Sequence, residues 1–193
     1  MQNKKRIIIG VTGATGVIYA VRVIEALKEY GAEYDRLLII TDAAYKTLNI
    51  EFKEGIDILK STATTIFNQD DLAAPISSGS FITQGMIVVP CSMHSLSNIA
   101  LSNSSTLLAR AADVTLKEGR KLLLIPRETP FHKGHLKLLT KVADIGATIL
   151  CPMPAFYHHP KSINDIINQT VGKILDQFEI EHDLYKRWGE KLS

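Results

Sequence analysis

Short apolar runs alternate along the chain with longer amphipathic stretches, and this alternation predicts the order of the elements. Runs rich in β-branched and aliphatic residues predict strands at Arg6–Gly10, Arg36–Thr41, Met86–Pro90, Lys121–Pro126 and Thr148–Cys151. The stretches between them predict helices at Val17–Tyr30, Ala43–Leu48, Ser95–Leu101, Ser104–Glu118, around Gly134–Ile145 and at Ser162–Phe178. Strands that are apolar on both faces and separated by helices pair in parallel under covering helices. The pattern therefore predicts a doubly wound α/β sandwich with a mostly parallel sheet.

The composition is that of one ordinary folded domain. The chain has 193 residues, of which 46% are hydrophobic and 22% charged, so it can bury a real core and disorder is excluded. The pattern weakens after residue 178, which predicts a single domain over residues 1–178 and a tail over 179–193. Because the tail holds Tyr185 and the single tryptophan, Trp188, we expect it to pack at an oligomer interface.

Charge and cysteine content limit the classes of binding partner and the cellular compartment that we expect. The formal net charge of +2 provides no long-range field that would hold nucleic acid or an acidic membrane. Cys91 and Cys151 lack both the spacing of a redox or zinc motif and the density of a disulfide scaffold. The apolar run after the basic N-terminus ends at Gly10, too early for a signal peptide core, and no run could span a bilayer. We therefore expect a cytoplasmic protein without a membrane anchor.

The first predicted strand is followed by a glycine-rich loop. Gly10, Gly13 and Gly16 let the chain turn tightly and expose backbone N–H groups at the start of the next helix, which is typical of an anion site. The alternative is that the turn needs glycine for its backbone alone. The G-x-x-G-x-x-G spacing differs from the dinucleotide fingerprint and interleaves Thr12 and Thr15, which favours a phosphate held with the help of hydroxyl groups.

A dehydrogenase remains as a hypothesis because Asp42 follows the second strand, where an acidic residue can hold an NAD ribose. Its catalytic residues are harder to find. The one Tyr-x-x-x-Lys spacing joins Tyr157 to Lys161, and Pro160 between them disfavours helical geometry. The short-chain dehydrogenase interpretation therefore fails.

Charged residues collect at two further places. Arg110, Asp113 and Lys117 form one stripe of a predicted helix, which is either a solvated face or part of a site. Arg127 and Glu128 lie between two prolines where the fourth strand ends, at the edge where such sheets bind ligands. Cationic groups converging there suit a compact phosphate, and a carboxyl group beside that phosphate is placed for acid–base chemistry.

Metal binding is not expected. His132 and His135 have H-x-x-H spacing but no third ligand nearby, and the pair His158 and His159 fits a surface position. The pair at residues 70–71, both Asp, lacks the second acidic cluster of a magnesium–pyrophosphate site. Any phosphate chemistry is therefore predicted to proceed without a metal.

Six segments in order resemble the UbiX-type flavin prenyltransferases over nearly the whole chain. They lie at residues 10–19, 76–81, 90–93, 108–118, 126–130 and 154–157, and they include the glycine loop and the Pro-Arg-Glu-Thr-Pro segment. The resemblance implies a flavodoxin-like or Rossmann-like three-layer sandwich. It implies an enzyme that transfers a dimethylallyl group from dimethylallyl phosphate to reduced FMN, making prenylated FMN for a UbiD-type decarboxylase. It also implies a closed homo-oligomer, the dodecamer of the family, with the site at a subunit junction.

The resemblance also assigns residues by position. FMN contacts are implied for Gly13, Ala14, Thr15, Thr41, Ser92, Met93, His94, Ser95 and Arg127, and prenyl phosphate contacts for Arg110, Lys117, Glu128, Tyr157 and Lys173. Catalytic roles are implied for Glu128, Lys117, Arg110 and Thr15. Three positions depart from the commonest family pattern: Thr15 replaces Ser, His94 replaces Lys and Lys173 replaces Arg.

Two other functions stay open at this point. One is an FMN-dependent cysteine decarboxylase of the related oligomeric flavoproteins, which use a catalytic histidine early in the chain, whereas this chain has none before His94. The other is a non-enzymatic FMN carrier, which would need neither Glu128 nor Lys117.

Overall fold

Six parallel strands form a single sheet in the computed structural model, which describes residues 4–189. The strands are β1 (Lys5–Val11), β2 (Tyr34–Ile40), β3 (Thr65–Phe67), β4 (Gly85–Cys91), β5 (Lys121–Pro126) and β6 (Thr148–Ile149). Their order across the sheet is β3-β2-β1-β4-β5-β6, and every neighbouring pair is parallel. The order reverses between β1 and β4, so the ligand crevice of such a sheet opens at the carboxyl ends of these two strands.

Helices cover both faces of the sheet. They are α1 (Val17–Tyr30), α2 (Asp42–Glu51), α3 (Gly55–Thr62), α4 (Met93–Ala100), α5 (Leu107–Lys117), α6 (Lys133–Asp144) and α7 (Ile163–Asp176). The first three helices and α7 bury their apolar side chains on one face, and α4, α5 and α6 on the other. The predicted doubly wound, three-layer sandwich is thereby confirmed.

Strand β1 shows why the central strands are apolar throughout. Ile7 and Ile9 belong to the core under α1 and α7, while Ile8 belongs to the core under α4 and α5. Successive side chains of a strand point to opposite faces, so a sheet covered on both sides needs apolar residues at every position. Each such isoleucine contributes about 1.5–3 kcal/mol by its burial.

The structure adds elements that the apolar pattern did not indicate. Strand β3 has three residues and is partly exposed, with Ile66 44% accessible, because it lies at the sheet edge. Helix α3 and a single 3-10 turn at Pro75–Ser77 also lie in the stretch between the second and third predicted strands. Helix α5 begins at Leu107 rather than at Ser104, since Thr106 caps it. Over the described residues 4–189, none of the helices combines the length and the apolarity that crossing a bilayer requires.

Candidate active site

A cleft of about 310 Å³ opens at the carboxyl edge of the sheet, beside the ends of β1, β2 and β4. Its lining consists of Gly13, Thr41, Asp42, Ala43, Gln69, Ser92, His94, Ser95, Asn98, Thr106, Leu108 and Ala109. Five of the nine predicted FMN residues are among them, namely Gly13, Thr41, Ser92, His94 and Ser95. The volume lies at the lower end of the range of roughly 300–1,000 Å³ that small-molecule pockets occupy.

Three helices begin at this cleft, and each has a hydroxyl cap. The Oγ1 atom of Thr41 accepts a hydrogen bond from the backbone N of Ala44 at 3.2 Å and caps α2. Ser92 caps α4 at 3.2 Å and Thr106 caps α5 at 3.3 Å in the same way. Because the N-terminal ends of helices carry partial positive charge and free N–H groups, this arrangement favours an anion in the cleft.

Thr12 joins the ends of β1 and β4, next to the cleft. Its side chain is only 1% exposed, donates a hydrogen bond to the carbonyl of Pro90 at 2.7 Å and accepts one from the backbone N of Ser92 at 2.7 Å. The glycine loop after β1 and the loop after β4 are therefore held together by one buried hydroxyl. The hydroxyl group of Thr12, which the sequence suggested as a phosphate ligand, therefore already makes two hydrogen bonds within the protein.

The glycine loop contacts α2 at two of its glycines, Gly13 and Gly16. A Cβ atom on Gly13 would lie 2.5 Å from the Cβ of Ala43, so the loop can approach α2 only with glycine at this position. Gly16 has a φ of +93°, in the left-handed region, and caps α1. Its N–H donates to the carboxylate of Glu51 at 2.8 Å, so this N–H group of the predicted anion cradle already holds a carboxylate of the protein.

The remaining predicted FMN residues lie next to the cleft rather than in its lining. Ala14 and Thr15 are half-buried within the glycine loop. Met93 packs against the core on the α4 side of the sheet. Their contacts with FMN stay predictions, as does the catalytic role of Thr15.

A second, smaller pocket of about 200 Å³ contains Glu128. It is lined by Pro126, Arg127, Glu128, Thr129, Phe131, Cys151, Pro152 and Met153, so a single carboxylate faces a largely apolar space. The backbone N of Arg127 donates to the carbonyl of Cys91 at 3.3 Å, which places this pocket beside the start of the loop that contains Ser92. Burial raises the pKa of the Cys91 thiol to about 12, which excludes Cys91 as a nucleophile at neutral pH.

Arg110 and Lys117 lie on the side of α5 that faces the 3-10 turn and the residues directly after it. Arg110 forms an ion pair with Asp113 at 3.1 Å and donates to the carbonyl of Ser77 at 3.1 Å. Lys117 pairs with Glu118 and, through this hydrogen bond, lowers the pKa of the Glu118 carboxyl group.

The segment Ser77–Phe81 is thus held in place by two arginines. Besides Arg110, Arg120 binds it through the carbonyls of Gly79 and Phe81 at 2.6 and 3.0 Å.

The fold separates the predicted prenyl phosphate residues within one chain. Lys117 ends α5 just before β5 begins, whereas Glu128 follows the end of β5. The two residues therefore lie at opposite ends of β5, about 20 Å apart for a six-residue strand. Lys173 lies on α7, on the face of the sheet opposite to α5. A single chain brings Arg127 and Glu128 together but does not bring Lys117 or Lys173 to them.

Tyr157 contacts the C-terminal tail. Its ring meets that of Trp188 edge to face, with centroids 5.4 Å apart. The described part of the tail, up to residue 189, packs on α7 of its own chain. Its predicted role at an oligomer interface stays a prediction, and residues 190–193 lie outside the described residues.

Some residues at the cleft escaped the sequence analysis. Gln69, Asn98 and Thr106 line the cleft, and Glu51 reaches the glycine loop from 35 positions away. Thr106 carried a signal, because a threonine directly before the first residue of an alanine-rich helix is a typical cap. His132 also caps a helix: its Nδ1 atom accepts from the backbone N of Gly134 at the start of α6. Within residues 4–189, no three His, Cys, Asp or Glu side chains cluster as metal ligands would.

Comparison with known proteins identifies the family. A family model described as Flavoprotein matches residues 1–175. The chain is 50% identical to the flavin prenyltransferase UbiX of Thauera aromatica over 183 residues, which cover 95% of this chain and 93% of the relative.

Two solved structures of UbiX-type proteins are also similar to this chain. The structure of AnUbiX (PadA1) in complex with FMN and dimethylallyl pyrophosphate has a TM-score of 0.93 and 40% identity, over 97% of this chain and 98% of that one. The dodecameric FMN-dependent UbiX-like decarboxylase from Escherichia coli O157:H7 has a TM-score of 0.91 and 42% identity, over 95% of this chain and 98% of that one. The chain therefore belongs to the flavoprotein family and, within it, to the UbiX-type flavin prenyltransferases.

Proposed function

We propose that this protein is a flavin prenyltransferase that transfers the dimethylallyl group of dimethylallyl phosphate to reduced FMN. The observation that carries the proposal is the cleft where α2, α4 and α5 begin, with the carboxylate of Glu128 in the adjoining pocket. The similarity to AnUbiX, which was solved with FMN and dimethylallyl pyrophosphate, supports the same pair of ligands here. The alternative of a cysteine decarboxylase gains no support from the residues of the cleft.

The cleft fits FMN through its anion-binding edge. The helix starts at Ser92 and Thr106 offer backbone N–H groups to the flavin phosphate, and Gly13 leaves room for it beside Ala43. We assign His94 and Ser95, on the first turn of α4, to polar contacts with FMN. Arg127 would then approach the flavin from the Glu128 pocket.

The cationic side chains promote departure of the phosphate. As the allylic C–O bond breaks, its electron pair goes to the phosphate oxygen, and Arg110, Lys117, Tyr157 and Lys173 stabilise that charge as fixed donors without a metal. The allylic carbon then forms a bond to the reduced flavin ring, which releases a proton. Glu128 is placed either to protonate the leaving phosphate or to accept the ring proton.

We propose that a second copy of the chain completes each site. About 20 Å separates Lys117 from Glu128 within one chain, so the two can act on one substrate only if different subunits supply them. A dodecamer like that of the Escherichia coli relative provides such junctions. The free cysteines Cys91 and Cys151 are compatible with the reducing cytoplasm. The product, prenylated FMN, would serve a UbiD-type decarboxylase.

Subunit complementation tests both the activity and the shared site. Lys117→Ala and Glu128→Gln homo-oligomers should each lose activity, and Glu128→Gln should slow turnover by about 10²–10⁴-fold while FMN still binds. When the two mutant chains are assembled in equal amounts, about a quarter of the sites should receive an intact Lys117 and an intact Glu128 from different chains. Prenylation should therefore recover to about a quarter of the wild-type rate.

A matched control uses the double mutant assembled with an equal amount of wild type. Sites shared between chains should then retain about a quarter of the activity, whereas sites formed within one chain should retain about half. No recovery in the first mixture, together with half activity in the second, would refute the shared site. A Glu128→Gln protein that prenylates FMN at the wild-type rate would remove Glu128 from the mechanism.

A further inference from the structure

The carboxylate of Asp176, the last residue of α7, binds four side chains. Asp176 receives hydrogen bonds from the hydroxyl of Tyr185 at 2.8 Å, from the Nε2 atom of His182 at 3.1 Å and from the guanidinium of Arg187 at 2.6 Å. It also forms an ion pair with Lys173, one turn earlier on α7, at 3.6 Å. Three of these partners belong to the tail and the fourth, Lys173, is a predicted phosphate ligand, so Asp176 links the tail to a predicted phosphate ligand.

The tail packs too tightly on α7 to be a loosely attached end. A Cβ atom on Gly172 would lie 2.6 Å from ring atoms of both His182 and Tyr185. The His182 side chain is fully buried, and its Nδ1 atom accepts from the backbone N of Leu184 at 3.2 Å. Nε2 therefore carries the proton of the neutral ring and donates it to Asp176, so both ring nitrogens have a partner.

From Asp176, aromatic contacts lead to Tyr157. The ring of Trp188 meets Tyr157 edge to face at 5.4 Å, and His158 lies between Tyr157 at 5.6 Å and Tyr185 at 6.5 Å. Edge-to-face contacts at these distances are favourable and fix the orientation of the rings. The loop that contains Tyr157 therefore rests on the segment of tail that Asp176 holds.

We infer that Asp176 is a positioning residue for the phosphate-binding side chains, acting on Lys173 directly and on Tyr157 through the tail. The inference rests on the proposed function, which makes Lys173 and Tyr157 ligands of the prenyl phosphate. Asp176 itself faces its protein partners and needs no contact with the substrate. Lys173 is 47% exposed, so it can bind a phosphate while Asp176 limits its range of positions.

Asp176 stays ionised under the conditions in which such an enzyme works. Burial alone would raise the pKa of this carboxyl group, but the hydrogen bonds from Arg187, Tyr185 and His182 outweigh burial and lower the pKa to about 2. The charge that holds Arg187 and Lys173 is therefore present at neutral pH.

The test measures the tail and the substrate separately. Because Trp188 is the single tryptophan of the chain, its fluorescence anisotropy reports the mobility of the tail in FMN-free protein. Binding of dimethylallyl phosphate is measured by calorimetry with oxidised FMN bound, a state that does not react. Asp176→Ala should lower the anisotropy and weaken dimethylallyl phosphate binding about tenfold, the worth of one hydrogen bond to a charged group. FMN affinity should not change.

Two further variants separate positioning from general damage. Gly172→Ala pushes the tail from α7 without removing a charge, so it should lower the anisotropy and the dimethylallyl phosphate affinity as Asp176→Ala does. Asp144→Ala removes an exposed acidic residue at the equivalent last position of α6 and should change neither quantity.

Two results would overturn the inference. The first is unchanged anisotropy in both Asp176→Ala and Gly172→Ala. The second is lower anisotropy with dimethylallyl phosphate affinity within about twofold of wild type. Failure of the wild-type protein to bind dimethylallyl phosphate would instead overturn the proposed function, and this inference with it.

Discussion

Replacing Gly13 with alanine should separate cofactor binding from fold stability. The added Cβ atom would lie 2.5 Å from the Cβ and 2.9 Å from the carbonyl carbon of Ala43, the second residue of α2. Carbon atoms in contact lie roughly 3.5–4.0 Å apart, so the loop and the start of α2 must separate by about 1 Å. One of the two atoms that clash belongs to the backbone of Ala43, so a change of side-chain rotamer cannot relieve the contact.

The magnitude follows from this displacement. Overpacking of a close contact costs about 1–3 kcal/mol of unfolding free energy. A 1 Å shift at the edge of the cleft also removes one or two hydrogen bonds to the flavin phosphate. Each is worth about 1.5–3 kcal/mol when the acceptor is charged. FMN affinity should therefore fall about 10- to 100-fold or more.

Gly119→Ala is the matched control. Gly119 lies between α5 and β5, at the opposite edge of the sheet, and a Cβ atom there meets nothing within 4 Å. Its φ of +64° makes alanine cost about 1–2 kcal/mol, a loss similar to that at Gly13. Urea unfolding should show similar stability losses for the two variants. Titration of FMN fluorescence should show a loss of FMN affinity for Gly13→Ala alone. Equal FMN affinity in the two variants would refute the position of the flavin beside Gly13.

Two further predictions concern stability. Thr12→Val leaves both the backbone N of Ser92 and the carbonyl of Pro90 without their partner, so urea unfolding should show a loss of about 2–5 kcal/mol. The matched Thr115→Val should lose about 1 kcal/mol or less, because the Thr115 hydroxyl only adds a second bond to a carbonyl within α5. The second prediction uses the pKa of Asp176, which is lowered to about 2 and therefore stabilises the fold above the unfolded-state pKa of 3.8. As the pH falls from 4 to 2, wild type should lose about 2 kcal/mol relative to Asp176→Asn, and an unchanged difference would contradict this.

The periodicity of the chain predicted the layers because the central strands are long and apolar on both faces. Strand β5 has its predicted bounds, Lys121–Pro126, since a charged residue precedes it and a proline ends it. Strand β3 could not be found in this way, because three residues at a sheet edge, one of them Ile66 at 44% exposure, carry no distinct pattern. Its pairing depends on β2, which lies far earlier in the chain.

Only part of the site could be predicted from the sequence. Loops that follow parallel strands meet at one edge, so Gly13, Thr41 and Ser92 could be placed together from their positions alone. Spacing along α5 put Arg110 and Lys117 on one stripe but gave no sign that the sheet separates Lys117 from Glu128. Contacts between distant segments, such as Glu51 with Gly16, depend on the packing of whole helices and leave no local pattern.

The mass of the flavin after reaction tests the proposed prenyltransferase activity most directly. The purified protein is incubated anaerobically with reduced FMN and dimethylallyl phosphate, and in parallel with the diphosphate, and the released flavin is measured by mass spectrometry. Wild type should release a flavin heavier than FMN by one dimethylallyl unit, and Glu128→Gln should release much less of this product. Recovery of unmodified FMN from wild type with both donors, although FMN binds, would contradict the prenyltransferase and leave an FMN carrier.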